Sequence, residues 1–270
     1  MWPAILKLRR LVVCVLATAA CASLPRVQTM TRPAESPAPL ASTPAAPVAP
    51  PPRTGLSVEA LAVPGFLPAV LLVPSGDDER PLLVAAHGAG GSPEWECDYW
   101  AGLLGERAFV LCLRGTAMGH GAFYYKNHYA LRDELAAALT AVRAAEPRIG
   151  QSGGVYAGFS QGASMGSLMI AERGRDFPVL VLIEGFEQWN IALGRKFKDS
   201  GGRKVLFACG TAQCANKAER SVAALERAGV EAKLEHAVGA GHTPLGGVQE
   251  LIEKRLPWLA AAPNPPAPAP

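Results

Sequence analysis

Val155-Tyr156-Ala157-Gly158-Phe159-Ser160-Gln161-Gly162-Ala163 (VYAGFSQGA) is the stretch on which the fold turns. An apolar run leads into Gly-x-Ser-x-Gly, and small residues, Ala163 and Gly166, follow. A serine at a sharp strand-to-helix turn presents its hydroxyl beyond the sheet edge. Glycines two before and two after it permit the close backbone approach that the turn demands. The helix start behind it aims N–H groups at developing negative charge. As a bare pentapeptide the motif arises often by chance, and its structural alternative is a plain glycine turn. The strand before and helix after make Ser160 the candidate nucleophile.

Outward from this turn the chain alternates strand-like and helix-like patterns. Ser57–Val63 and Val70–Val73 read as opening antiparallel strands. Leu82–Ala86, Ala108–Leu113, Val155–Gly158, Val179–Ile183, Val205–Ala208 and Ala232–His236 follow. Near-continuous apolar runs suit parallel strands buried on both faces. Leu131, Leu135, Leu139 and Val142 form one helical stripe that stops before Pro147. Ala218–Ala228 ends at Gly229, and Val248–Leu259 gives a last helix. Strands alternating with helices predict an α/β class with a mostly parallel central sheet and helices on both faces. No insertion is long enough for a large lid domain.

The domain so defined spans 55–260, and a hydrophobic fraction of 49% is ample for its core. The flanks read differently. Lys7, Arg9 and Arg10 precede an apolar run, Leu11–Ala20, too short to span a bilayer. Small residues and Cys21 follow, so 1–22 has the order of an export signal. Thr18-Ala19-Ala20 before Cys21 resembles a lipoprotein cleavage site, with ordinary cleavage near Ala20 or Ala22 as the alternative. A lipid on Cys21 would then be the chain's membrane contact, in the periplasm or at the cell surface; without it the protein is secreted. Residues 23–54 are a linker with eight prolines between Pro33 and Pro52, and 261–270 is a similar tail. Neither composition can bury a core, and extended polyproline conformation is expected of both.

A net charge of +3 with no basic run excludes a dedicated nucleic-acid binder. The His and Cys spacings match no zinc pattern, and no phosphate-cradling loop is present, so neither metal nor cofactor is expected. A monomer is expected. Four cysteines remain after export. Their even number predicts two disulfides, with Cys209–Cys214 and Cys97–Cys112 as the pairing read here.

Two further motifs complete a chemistry. His87-Gly88-Ala89-Gly90-Gly91 follows the third strand, and Gly241-His242 lies between the last strand and the last helix. Together with Gly158–Gly162 they resemble the α/β-hydrolases of the small serine esterase, thioesterase and dienelactone hydrolase type, with a polyhydroxyalkanoate depolymerase-like character. The resemblance covers roughly 55–260. It implies a carboxylic-ester hydrolase acting through an acyl-enzyme on a small or polymeric ester. A peptidase of the same fold, or a fold member that only binds, is the alternative. Ser160 is then the nucleophile and His242 the base. The N–H groups of Gln161 and Ala89, or Gly90 in its place, form the oxyanion hole. His87 reads as a turn residue and His236 as a packed or surface one.

The acid departs from the pattern. Where such chains carry aspartate after the seventh strand, this one has Gly210-Thr211-Ala212-Gln213. An amide cannot stabilise an imidazolium by charge. The end of the sixth strand offers Glu184 directly after Ile183, then Glu187. Glu184 is the expected acid. Glu187, an acid-free Ser–His pair, or Gln213 or Asn216 orienting the ring are the other readings. The Gly- and Tyr-rich segment Arg114–Tyr129 is expected to shape the substrate pocket with Tyr124, Tyr125 and His128, and with Tyr129 and His120 nearby. Trp95 and Trp189 are expected at the mouth, and Trp100 in the core.

Overall fold

The computed structural model describes residues 55–260. The export signal, the linker and the tail, with the lipidation expected at Cys21, lie outside the described residues. In chain order the elements are β1 (Ser57–Leu61), β2 (Ala69–Val73), β3 (Leu82–Ala86), α1 (Pro93–Leu104), β4 (Phe109–Leu113), β5 (Thr116–Gly119) and β6 (Ala122–Tyr124). There follow α2 (His128–Ala145), β7 (Val155–Phe159), α3 (Gln161–Met169), β8 (Val179–Ile183), α4 (Ile191–Asp199), β9 (Lys204–Cys209), α5 (Ala212–Arg227), β10 (Glu231–His236) and α6 (Gly247–Ala260).

Eight strands form one sheet in the order β1-β2-β4-β3-β7-β8-β9-β10. β2 runs antiparallel to both neighbours, and every pairing from β4 to β10 is parallel. The central strands are apolar on both sides because both sides are covered. Leu82, Val84 and Ala86 of β3 face the core under α2, α3, α4 and α5, while Leu83 and Ala85 face the core under α1 and α6. The stripe Leu131, Leu135, Leu139 and Val142 of α2 enters the first of these cores. Trp100 of α1 is fully buried in the second.

Strand order decides where a ligand can sit. From β3 the chain crosses through α1 to β4 on one side, then through α2 to β7 on the other. Loops leaving β3 and β7 therefore diverge and open a crevice at their carboxyl ends, where ligands of open α/β sheets bind. The His87–Gly91 loop and Ser160 stand at the two lips of that crevice.

Two local features differ from the sequence reading. Thr116–Tyr124 is a β-hairpin (β5–β6), not an irregular loop, and its far strand bridges the segment after β3 at Gly91↔Phe123. Helix α5 starts at Ala212, six residues before the expected Ala218. The Thr211 hydroxyl caps it by accepting the Cys214 N–H at 3.2 Å, so Gln213 and Asn216 belong to a helix and not to a loop. Both expected disulfides are present: Cys97–Cys112 ties α1 to β4, and Cys209–Cys214 ties the end of β9 to the first turn of α5.

Candidate active site

Ser160 sits between β7 and α3 with φ 49° and ψ −107°. Among the described residues only His120, Ser160 and Glu184 combine positive φ with a side chain. A left-handed non-glycine residue costs on the order of 1–3 kcal/mol and persists where its surroundings hold it. Here the Ser160 N–H donates to Ile183 O at 2.8 Å. The turn is also packed against β3 too closely for any side chain at position 162. A Cβ on Gly162 would lie 2.1 Å from Ala86 O.

The Ser160 hydroxyl is 2.8 Å from His242 Nε2, and His242 Nδ1 is 3.1 Å from Glu184 Oε2. With the proton on Nδ1 the ring donates to Glu184 and leaves Nε2 free to accept from Ser160. The His242 loop is tied down at three points. Gly241 N–H donates to Gly210 O at 3.2 Å, Tyr99 Oη donates to Pro244 O at 3.2 Å, and the Phe159 ring lies 5.4 Å from the imidazole. The ring is about half exposed, whereas the Glu184 side chain is 1% exposed.

Glu184 follows β8 directly and turns into the space beside β9. Its Oε1 accepts the N–H groups of Gly210 (2.5 Å) and Thr211 (2.8 Å), and the Thr211 hydroxyl donates to Oε2 at 3.1 Å. The loop that lacks an acidic side chain thus supplies backbone and hydroxyl donors instead. Gln213 and Asn216 are exposed on α5, and Glu187 lies 4.0 Å from Lys217 with its side chain half in solvent. Among the described residues none of these three hydrogen-bonds His242. The Cys209 and Cys214 sulfurs lie near the Glu184 carboxylate but are joined to each other, which removes them as metal ligands.

Of the N–H groups around the crevice, Gly90 donates to Phe123 O, Gly91 to Gly88 O and Gly162 to His87 O. Gly90, the alternative oxyanion donor, is therefore spent on β6. Among the described residues the N–H groups of Ala89 and Gln161 have no partner. A cavity of about 470 Å³ opens at Ala89, lined by the 87–92 loop, Trp95, Phe159 and the hairpin tip His120–Ala122. A second, apolar cavity of about 400 Å³ lies at the amino-terminal end of the strands, against Leu82, Val155 and Val179, away from Ser160.

Several expected pocket residues stand elsewhere. Tyr125 is 2% exposed, its ring stacks on His87 and its hydroxyl donates to Leu113 O, so it has no surface to offer a ligand. Its backbone N–H instead holds the Gln161 side chain, at 2.8 Å. Tyr124 pairs with Thr116 inside the hairpin. His128 opens α2 with its ring against Tyr129 at 4.0 Å. Neither lines the cavity. Trp189 is buried against Phe197, whereas Trp95 does line the mouth. His87 is buried, with Nδ1 2.7 Å from Gly88 O and Nε2 3.0 Å from Arg114 O. Burial pushes its imidazole below the ordinary value, against the opposing pull of the two carbonyls, and a neutral ring can donate to only one of them.

Sequence reasoning missed the hairpin and the donors around Glu184. The hairpin had a signal in Gly119-His120-Gly121, a turn sequence between two short apolar stretches. The donors had one in Thr211, a capping residue at the head of an Ala-rich run.

No protein-family model matches the chain, and no curated protein matches it. Solved structures do. A Pyrobaculum calidifontis esterase is 17% identical, with 77% of this chain and 86% of that one covered and a TM-score of 0.55. A phospholipase/carboxylesterase from Dyadobacter fermentans is 18% identical over 73% of this chain and 97% of its own, with a TM-score of 0.52. A hormone-sensitive lipase from a metagenome library is 13% identical over 78% and 87%, with a TM-score of 0.54. At such identities the likeness establishes the architecture. The chain has the α/β-hydrolase fold, a mostly parallel central sheet with helices on both faces and no large lid among the described residues.

Proposed function

We propose that the chain is a serine hydrolase that cleaves carboxylic esters. The observation that carries this reading is the continuous line Ser160 Oγ–His242 Nε2, His242 Nδ1–Glu184 Oε2 at 2.8 and 3.1 Å. In this reading Ser160 Oγ attacks the ester carbonyl as its proton passes to His242 Nε2. The new oxyanion is met by the N–H groups of Ala89 and Gln161, which the free state leaves unpaired. His242 returns the proton to the leaving alcohol, and an acyl ester remains on Ser160. Water then attacks that ester, gives its proton to His242 and releases the acid, restoring the serine. Glu184 accepts the His242 Nδ1–H and stabilises the imidazolium each time it forms. Its desolvated site strengthens that interaction.

The open cleft and the absence of charged groups from the cavity lining favour small or extended uncharged esters. On sequence grounds we also propose that the protein is exported and held at a membrane through Cys21. Two disulfides agree with an oxidising compartment.

The test is hydrolysis of p-nitrophenyl acetate and butyrate by the full chain, alongside labelling with a fluorophosphonate. Wild type hydrolyses both esters and is labelled at Ser160, and Ser160→Ala does neither. Glu184→Gln loses about 10³- to 10⁴-fold in kcat, the scale seen when a triad carboxylate becomes an amide. Gln213→Asp gains nothing. An inert, unlabelled wild type, or activity restored by Gln213→Asp, refutes the proposal. Cleavage of peptides but not esters would move the chain to peptidase chemistry.

A further inference from the structure

Resting on the reading of Glu184 as the acid, we infer that the β9–α5 turn is a built carboxylate cradle and that Thr211 is the residue that positions Glu184 for His242. The Glu184 carboxylate is 1% exposed, and a buried carboxylate needs hydrogen-bond donors to replace the water it has lost. Oε1 takes two backbone N–H groups, Gly210 at 2.5 Å and Thr211 at 2.8 Å. Oε2 takes the Thr211 hydroxyl at 3.1 Å and His242 Nδ1–H at 3.1 Å. Thr211 thus reaches both oxygens, one from its backbone and one from its side chain, and fixes the rotation of the carboxylate plane. That rotation aims Oε2 at the imidazole.

The hydroxyl has one proton and lies nearer Oε2, at 3.1 Å, than Oε1, at 3.4 Å. Its lone pair accepts Cys214 N–H at 3.2 Å and caps α5. Cradle and helix start are consequently one unit, and the positive end of a 16-residue helix faces the carboxylate. Cys209–Cys214 closes the same five-residue step, so the turn cannot open by fraying of the first helical turn. Gly210 admits no side chain here, since a Cβ would lie 2.3 Å from Gly241 O on the His242 loop.

The experiment compares Thr211→Val, Thr211→Ser and Glu184→Gln with wild type in the full chain. The readouts are kcat, KM, the pH profile of kcat/KM and the downfield proton resonance of His242 Nδ1–H. Thr211→Val should lower kcat by about tenfold or more, the value of a hydrogen bond to a charged group, with KM within about twofold. It should shift the acidic limb of the profile, where a protonated His242 can no longer accept the Ser160 proton, and move or broaden the Nδ1–H resonance. Thr211→Ser, which keeps the hydroxyl, should restore all four. In the Glu184→Gln background Thr211→Val should add little, because the two act as a unit. Wild-type kcat and an unmoved resonance in Thr211→Val overturn the inference. So does a loss that serine fails to restore, or one that adds fully to Glu184→Gln. The resonance needs no turnover, so it judges the cradle even where ester hydrolysis fails. An unlabelled Ser160 in wild type marks the failure of the functional reading instead.

Discussion

Glu96 carries a carboxyl that the site does not use and that folding buries at a cost. It lies in the first turn of α1, 1% exposed, with Oε1 accepting Trp100 Nε1–H at 3.1 Å and Oε2 without a partner. Burial lifts it from an ordinary 4.5 to about 7, against the smaller opposing pull of the Trp100 hydrogen bond. The folded state therefore prefers the neutral acid. Below pH 4.5 both states are protonated and no penalty exists. As pH rises from 4.5 to 7 the unfolded chain ionises first and stability falls. Above 7 the loss is complete, at about 3 kcal/mol. Glu96→Gln keeps the oxygen that Trp100 needs and cannot ionise. It should match wild type at pH 4.5 and exceed it at pH 8 by about 3 kcal/mol, or roughly 6–12 °C in Tm for a domain this size. Thermal unfolding followed by near-ultraviolet circular dichroism, disulfides intact, at half-unit steps from pH 4.5 to 8.5 measures the difference. Subtracting the two curves removes every titration they share. A difference that stays flat across that range refutes the reasoning, and one that falls with pH reverses its sign.

Other substitutions probe the frame of the site. Gly162→Ala drives a Cβ into Ala86 O and should destabilise by about 3 kcal/mol or more while displacing the Gln161 N–H; urea unfolding and kcat should fall together. Replacing Cys97 and Cys112 together by serine opens a crosslink across 15 residues and should cost about 3 kcal/mol in the same assay, with kcat nearly unchanged because the bond ties α1 to β4 away from Ser160. Trp95→Ala removes an aromatic wall of the cavity and should raise KM by about 5- to 50-fold for bulky esters, with little effect on p-nitrophenyl acetate.

The sheet was legible because its central strands are apolar on both faces. Leu82–Ala86 and Val179–Ile183 need covering from two sides, which few architectures supply. The strand-end places of Ser160 and His242 were legible because glycines stand beside each. Glu184 was legible as a position, the carboxyl-terminal neighbour of an apolar strand, once Gln213 was seen to lack a charge. What holds it was not, because two of its donors are backbone N–H groups of Gly210 and Thr211, and any residue but proline carries those. Tyr125 was misread for a related reason. A tyrosine in a Gly-rich segment resembles a pocket wall until the partner of its hydroxyl, Leu113 O, is known. The hairpin left no period-2 signal because β5 and β6 span only four and three residues.

Phe123 exchanges hydrogen bonds at 2.8 Å in both directions with the loop after β3, its carbonyl taking Gly90 N–H and its N–H reaching Gly91 O. The wall of the cavity and the backbone that presents Ala89 are therefore one rigid piece. Selection for a different substrate cannot widen the mouth by swinging the hairpin outward, since the same motion would drag Ala89 with it. The tip is exempt. His120 and Gly121 lie beyond the last pair, Gly119 with Ala122, and exposed to solvent, and residues can be added or exchanged there while the pairing at Phe123 stays in register. In this scaffold the turn around His120 is a stretch of the cavity lining that can change without moving Ala89.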